Sequence, residues 1–427
     1  MKINISLSIF LFAAIMQCTA QTNEQLSSAD FILREVGVVS MLKAEALENQ
    51  LVCISKGEIT YIGKDDGSKQ LNTKAKIINA KGKYIMPGMA DMHCHFPDKN
   101  EIKKYFALNL MAGVTTLRSM QGNAGHLEYK KPLSFPAPNL SLSAPPILSK
   151  KTVSNEYADS LLKKCKSDGF DFVKILYVSD SASFATVMAA SKKYSIPVCG
   201  HLPKCVSLEY VLQSGYTSIE HMGGQDLAYD KGLDYYKGIL LKTKDDNVFH
   251  CPTLDWYQVV YLQVAENELK KRVGLELIPD SVKQKWSRSM AEDEAKTDMQ
   301  KAKEKYKSTQ EKQLKALKLM ADNNVGLLIG LDAGGTYEVP GYDIIEEMKL
   351  YKRAGLSNYQ ILQAATCNAA KYLHQEKSWG TVETGKNANL VLLSGNPLVD
   401  LNAITKPEGV FLHAVYYSAE ELKKMTE

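Results

Sequence analysis

Between Ala90 and Asp332 the chain offers eight short apolar runs, and helix-prone segments fill most of the gaps between them. The runs are Ala90 to His95, Val114 to Ser119, Asn139 to Ser143, Phe172 to Tyr177, Pro197 to His201, Ser218 to Met222, Val248 to Thr253 and Val325 to Asp332. Strand then helix, repeated, demands parallel strands under a helical layer, and eight such units are what a (β/α)8 barrel requires. Helices are expected over Glu101 to Ala112, Asn155 to Ser167, Ser181 to Tyr194, Leu208 to Gln213, Tyr342 to Arg353 and Asn358 to Leu373. One gap is oversized. Residues 255–324 are charged and helix-prone, too long for a crossover, and their first turns carry Trp256, Tyr257 and Tyr261 directly after a strand end. Such an insertion is placed to overhang the barrel mouth as a lid.

Both ends read differently. Short β-rich runs at Phe31 to Leu33, Val36 to Val39, Leu51 to Ser55, Ile59 to Ile62 and Lys76 to Ile78 precede the barrel, and Ala388 to Leu393 and Gly409 to Tyr417 follow it. Neither end holds enough strands for a stable sheet alone. The expected fold is therefore α/β: a distorted TIM-like barrel over 88–375, with a small composite β-sandwich built from 21–87 and 376–427. The first twenty residues are a separate object. Lys2, an apolar run from Ile9 to Met16 and a small residue at Ala20 describe a signal peptide, so the mature chain is expected in the periplasm or outside the cell. Gln17 fits poorly with lipid attachment at Cys18, and no later run is long enough to span a membrane. Seven scattered cysteines remain after cleavage, odd in number and without a CxxC pair, which reads as small core residues rather than a disulfide framework. A net charge of +4 with no concentrated basic face gives no case for nucleic acid. Association into a homo-oligomer is left open.

The chemistry concentrates in Met86-Pro-Gly-Met-Ala-Asp-Met-His-Cys-His-Phe96. His93 and His95 are two residues apart, so on a strand both imidazoles face one way and can grip one cation. Alone, such a pair is more often two histidines packed or hydrogen-bonded in an ordinary strand. Reacting groups in a barrel sit at the C-terminal ends of strands. Here the fourth run carries Lys174, the fifth ends at His201, the sixth at His221 and the eighth at Asp332. Four of the eight histidines fall at such ends, which favours a common centre over scatter. A lysine in a buried strand is costly when charged, so its pKa should fall and its amine become reactive. Taken alone, Lys174 also fits a snorkelling or salt-bridged side chain, and Asp332 a helix cap before Gly334-Gly335.

With these residues, the Gly113-Val-Thr-Thr-Leu-Arg118 strand, Ile219-Glu-His-Met222, Ala364-Ala-Thr-Cys-Asn-Ala-Ala370 and Gly385-Lys-Asn-Ala-Asn-Leu-Val391, the chain resembles the amidohydrolase superfamily over nearly all its length. The likeness is to the branch of Xaa-Pro dipeptidases and imidazolonepropionases. It implies two divalent ions, zinc being expected: His93, His95 and Asp332 on one, His201 and His221 on the other, and Lys174, carboxylated by carbon dioxide, between them. It further implies hydrolysis of an amide or peptide-like C–N bond, in a dipeptide or N-acyl amino acid, by a hydroxide bridging the ions, with Asp332 carrying the proton to the leaving amine. Cyclic amides, lactones and phosphotriesters are alternatives on the same site, and a non-catalytic metal or solute binder is another. Arg118, Tyr177 and Lys204 are candidates for holding a substrate carboxylate. The chain departs from the family pattern at Ser119 and Asn389, where Asp is frequent, and at Leu331, where Thr is frequent; no ligand is lost by these changes.

Overall fold

The computed structural model describes residues 26–69, 71–72 and 74–426, so the expected signal peptide and Cys18 lie outside the described residues. The chain enters through β1 (Phe31–Val38), β2 (Leu47–Ser55), β3 (Glu58–Lys64), β4 (Lys76–Asn79) and β5 (Tyr84–Pro87). The two runs expected at Phe31 and Val36 are one strand with a kink. Glu35 takes a left-handed φ of 54°, and across that kink β1 exchanges one parallel neighbour, β4, for another, β5. A bulge of this kind lets a single strand serve two partners on one side.

Next come β6 (Met89–Cys94), β7 (Val114–Ser119) and β8 (Asn139–Leu142), a parallel set, then β9 (Ile147–Ser149), β10 (Val173–Val178), β11 (Val198–Gly200), β12 (Ser218–Glu220) and β13 (Phe249–Cys251), also parallel. Every residue of β6 and β7 is buried, as expected of parallel strands covered on both faces. Phe106, Leu117, Val173, Phe184, Ile219 and Met348 belong to the continuous apolar core shared with the helices. The helices start where the sequence supplies caps: Ser154, Asp180, Ser207 and Ser357 each accept a backbone N–H of the first turn, worth about 1 kcal/mol apiece. The long helix expected from Asn358 to Leu373 breaks at Thr366, whose backbone leaves the helical region, into Asn358–Ala365 and Cys367–Tyr372.

The first seven runs are strands; the eighth is not a regular one. Residues 326–332 make one bridge, His250 to Leu327, and further backbone bonds from Met92 N–H to Ile329, Leu328 N–H to His250 and Asp332 N–H to His93. They therefore touch β13 on one side and β6 on the other. Gly330 explains both the closeness and the irregularity: a Cβ there would lie 2.4 Å from the Cys251 sulfur and 2.7 Å from the His93 Cβ.

The chain ends in β14 (Leu390–Leu393), β15 (Pro407–Leu412) and β16 (Val415–Ser418). β14 pairs antiparallel with β5, so strands from both ends form one hydrogen-bonded sheet in the order β16-β15-β14-β5-β1-β2-β3, rather than two separately bonded sheets of a sandwich. The expected single strand from Gly409 to Tyr417 is a hairpin, because His413 and Ala414 both take positive φ and turn the chain back. All seven described cysteines are free and five are buried. No helix among the described residues is long and apolar enough to cross a membrane.

The insertion is helical: Leu254–Val260, Glu266–Leu269, Asp280–Glu294 and the amphipathic Thr297–Asp322. Beside an apolar cluster that includes Leu269, Met290, Tyr337 and Val339, one anchor is electrostatic. Arg272, almost fully buried, reaches Asp255 at 2.6 Å and Asp343 at 3.4 Å. Arg272→Met would strand two carboxylates in the interior and is expected to cost about 3–5 kcal/mol, read as a lowered denaturation midpoint. An unchanged midpoint would show that the pair is not holding the insertion.

His250, on β13, is fully buried with neither ring nitrogen bonded, and burial pushes its pKa down to about 3. The unfolded chain takes up a proton below about pH 6.5 while the folded chain does not, so stability falls as pH drops from 6.5 toward 3. His250→Leu removes this liability. It should be neutral or mildly stabilising at pH 7 and ahead of the parent by on the order of 2 kcal/mol at pH 5, measured by denaturant titration at both pH values. A gap that does not widen on acidification would contradict it.

Candidate metal centre

Six side chains expected to share a centre are brought together at the strand ends. His95 Nε2 lies 2.8 Å from Asp332 Oδ1, and His93 Nε2 lies 3.5 Å from the same oxygen, three ligand atoms close enough for one ion. His201 and His221 point their Nε2 atoms at each other across 3.2 Å. Their rings and that of His93 form a chain, with 4.9 Å between the centroids of His93 and His221 and again between those of His201 and His221. Lys174 Nζ stands 3.1 Å from His93 Nε2, and Asp332 Oδ2 3.9 Å from His221 Nδ1.

Backbone conformation aims these groups. His221, Thr253 and Asp332 all take left-handed φ of 49–61°, each at the C-terminal end of its strand or run. Such φ values are uncommon for residues other than glycine and cluster where a site requires them. At His221 the turn lets two neighbours serve one centre: Glu220 ends the strand facing His93, and His221 swings round to His201.

The donor set fits divalent cations. Burial pushes His201 down to about 4 and His221 to about 3, and holds His93 far below the ordinary range, with Lys174 adding to the effect on His93. Neutral imidazoles at pH 7 leave lone pairs free for a cation. The second nitrogen of two rings is engaged: His221 Nδ1 bonds Thr253 Oγ1 at 2.6 Å and His93 Nδ1 bonds Glu220 at 2.8 Å. That arrangement fixes tautomers as metal-binding histidines require. Burial also lowers the Lys174 pKa, against the pull of Glu220 and Asp332. His93, Glu220 and Cys251 also lie within ligating distance of one another, but Glu220 is already paired with Arg118.

The substrate candidates fare differently. Arg118 does not reach the mouth: it is fully buried, and its guanidinium is bonded to Glu220, Ser218, Tyr372 and the Met92 carbonyl. Its long side chain runs inward from β7 and finds its counter-ion on β12. Tyr177 is exposed, beyond a register irregularity in the β9–β10 pairing between Ile175 and Tyr177. Lys204 is exposed in the turn after His201. Three residues the sequence did not single out carry weight: Glu220 and Thr253, which orient ligands, and His126, which is buried. His126 sits on the wall of a cavity of about 550 Å³ that opens beside His95 and is also lined by Phe96, Gln121, Asn123 and Tyr129. Only the pattern of a polar residue beside a ligand histidine, as in Glu220-His221, could have indicated one of them. Trp256 and Tyr257 of the insertion pack beside His221, with ring centroids 6.3 and 5.3 Å from that of His221, and Tyr257 continues into a stack with Tyr261 and Tyr306.

A family model described as the amidohydrolase family matches residues 84–415. An adenine deaminase of Clostridium perfringens is 25% identical over 207 residues, 43% of this chain and 35% of the deaminase. The chain thus spans about a third or less of the length of the first named relatives it matches. Among solved structures, a Xaa-Pro dipeptidase with methionine bound in its active site superposes with a TM-score of 0.68 at 16% identity, over 91% of this chain and 99% of the other. A prolidase complexed with N-methylphosphonate-L-proline gives 0.66 at 17%, over 91% and 99%. At these identities the superpositions speak for the fold.

Proposed function

The chain belongs to the amidohydrolase family, and from that premise we propose that it is a metal-dependent hydrolase of a carbon–nitrogen bond, acting on a dipeptide or N-acyl amino acid. The observation that carries the reading is the convergence of His93, His95 and Asp332, with Lys174 against His93 and the His201–His221 pair packed beside the His93 ring. We read the strand region as a distorted (β/α)8 barrel, supported by the bonds of residues 326–332 to both β13 and β6. The mixed sheet is read as a composite unit of 21–87 and 376–427.

His93, His95 and Asp332 would hold one divalent ion and His201 and His221 a second, with zinc the preferred metal for imidazole and carboxylate and Lys174, as its carbamate, between them. When bound, such ions supply Lewis acidity, acidifying water toward neutrality and polarising a carbonyl. The chain's own groups do the rest. Asp332 accepts a proton during attack and returns it to the leaving nitrogen, so that amide and water become carboxylate and a protonated amine. The cavity beside His95, walled by Phe96 and Tyr129, receives one substrate side chain, and Trp256 and Tyr257 exclude solvent. The expected signal peptide makes the setting extracytoplasmic.

The test is metal analysis combined with turnover on a panel of dipeptides, N-acyl amino acids, cyclic amides, lactones and adenine. Hydrolysis of acyclic amides by protein loaded with two ions is the expected result. Full metal occupancy without turnover of any amide or ester would favour a binding protein, and turnover confined to adenine would move the reading to deamination, as in the relative named above.

A further inference from the structure

Beneath the centre lies a buried charge pair that the proposed reaction does not use. The guanidinium of Arg118 donates to Glu220 Oε1 at 2.7 Å, to Ser218 at 3.0 Å, to the Tyr372 hydroxyl at 2.7 Å and to the Met92 carbonyl at 2.5 Å. Its carbon also lies 4.7 Å from the Tyr372 ring centroid and 5.6 Å from that of Phe172, so the group is held on its faces as well as its edges. Arg118, Glu220 and His93 are all completely buried. The second carboxylate oxygen, Oε2, faces His93 Nδ1 at 2.8 Å.

We infer that Arg118 and Glu220 form a positioning pair that fixes His93 as the Nδ1–H tautomer, leaving the Nε2 lone pair for the cation. This rests on the metal-centre reading above. The guanidinium and the Ser218 hydroxyl both donate to Oε1, which leaves Oε2 as the acceptor for His93. The far side of the ring agrees. Lys174 Nζ sits 3.1 Å from Nε2, a donor facing the nitrogen that must carry the lone pair. A second clamp sets the ring's height: Asp91 Oδ1 accepts the backbone N–H groups of His93 and Leu331 at 3.1 and 3.0 Å, tying β6 to the segment that delivers Asp332. Arg118 acts on the site only through Glu220.

Removing an outer partner of a ligating histidine characteristically weakens metal binding about 10–100-fold. Glu220→Gln alone leaves Arg118 buried and unpaired, so the deciding variant is the double Arg118→Met, Glu220→Leu, which leaves no buried charge behind. Zinc affinity is measured by competition with a chelating dye, alongside the denaturation midpoint. The expected result is a double variant folded like the parent but binding zinc about 10–100-fold more weakly, with Glu220→Gln weakened similarly and also destabilised. A double variant with parental zinc affinity would overturn the inference and reduce the pair to a structural one. Nitrogen-15 histidine NMR of the unaltered, metal-free protein reads the same point without a substitution: an Nε2–H tautomer at His93, assigned through His93→Gln, would also overturn it. If the unaltered protein binds no divalent ion, it is the proposed function that fails, while the NMR still decides the tautomer.

Discussion

Asp332→Asn is expected to lower kcat by about a thousandfold while the protein stays folded. The substitution is chosen because position 332 adopts a φ of 54°, a conformation that asparagine tolerates nearly as well as aspartate. The amide oxygen can still approach His95 and His93, which lie 2.8 and 3.5 Å from the native Oδ1. What it loses is the capacity to take a proton and give it back. If the carboxylate acts only in the transition state, kcat and kcat/KM fall together and KM stays near its parental value. A variant binding the same two equivalents of metal with normal turnover would remove Asp332 from the reaction and leave it as a ligand only. A variant that lost metal as well would assign the drop to ligation, so metal content is measured on the same sample.

How far the sequence reaches is visible in the same residues. His93, His95, His201, His221, Lys174 and Asp332 were all legible because their chemistry is unusual for strand ends, and the strand–helix alternation set where those ends had to be. The helical insertion and its aromatic first turn were legible for a similar reason: a charged stretch of that length fits no crossover. Arg118 was misplaced because strand alternation gives the face of a side chain but not the depth its length can span. The guanidinium travels inward until it meets Glu220, and no periodicity in the sequence records that meeting. Thr253 and Glu220 were missed for a related reason. Their roles depend on left-handed residues at the strand ends, and single non-glycine φ values are set by tertiary fit rather than by local propensity. The irregular eighth run follows the same logic, since Gly330 permits a contact with His93 and Cys251 too close for a regular ladder, and a glycine in a run is silent on what it approaches.

Lys174→Met should reduce the bound metal from two equivalents to one and cost roughly a thousandfold in turnover. An ion at such a site contributes several kcal/mol to the transition state, and a loss of about 4 kcal/mol corresponds to that factor. Methionine matches the length of the stem and removes the amine, with sulfur in place of one methylene, in a place where the side chain is almost wholly buried. The premise is that carbon dioxide adds to the neutral amine, a C–N bond forming and a proton leaving to solvent, so the modification is favoured above the amine's pKa. Burial lowers that pKa, which extends the permissive range downward toward neutrality. Protein stripped of metal and reloaded in buffer freed of carbon dioxide should therefore recover little activity, and added bicarbonate should restore it. Labelled bicarbonate should give a carbamate carbon resonance in the parent and none in Lys174→Met. Equal recovery with and without bicarbonate would leave Lys174 as a plain amine beside His93, and the second ion would then have to rest on His201 and His221 alone. Two neutral imidazoles without an anion hold a divalent ion weakly, so that outcome would predict a site occupied by one tight ion, countable in the same metal assay.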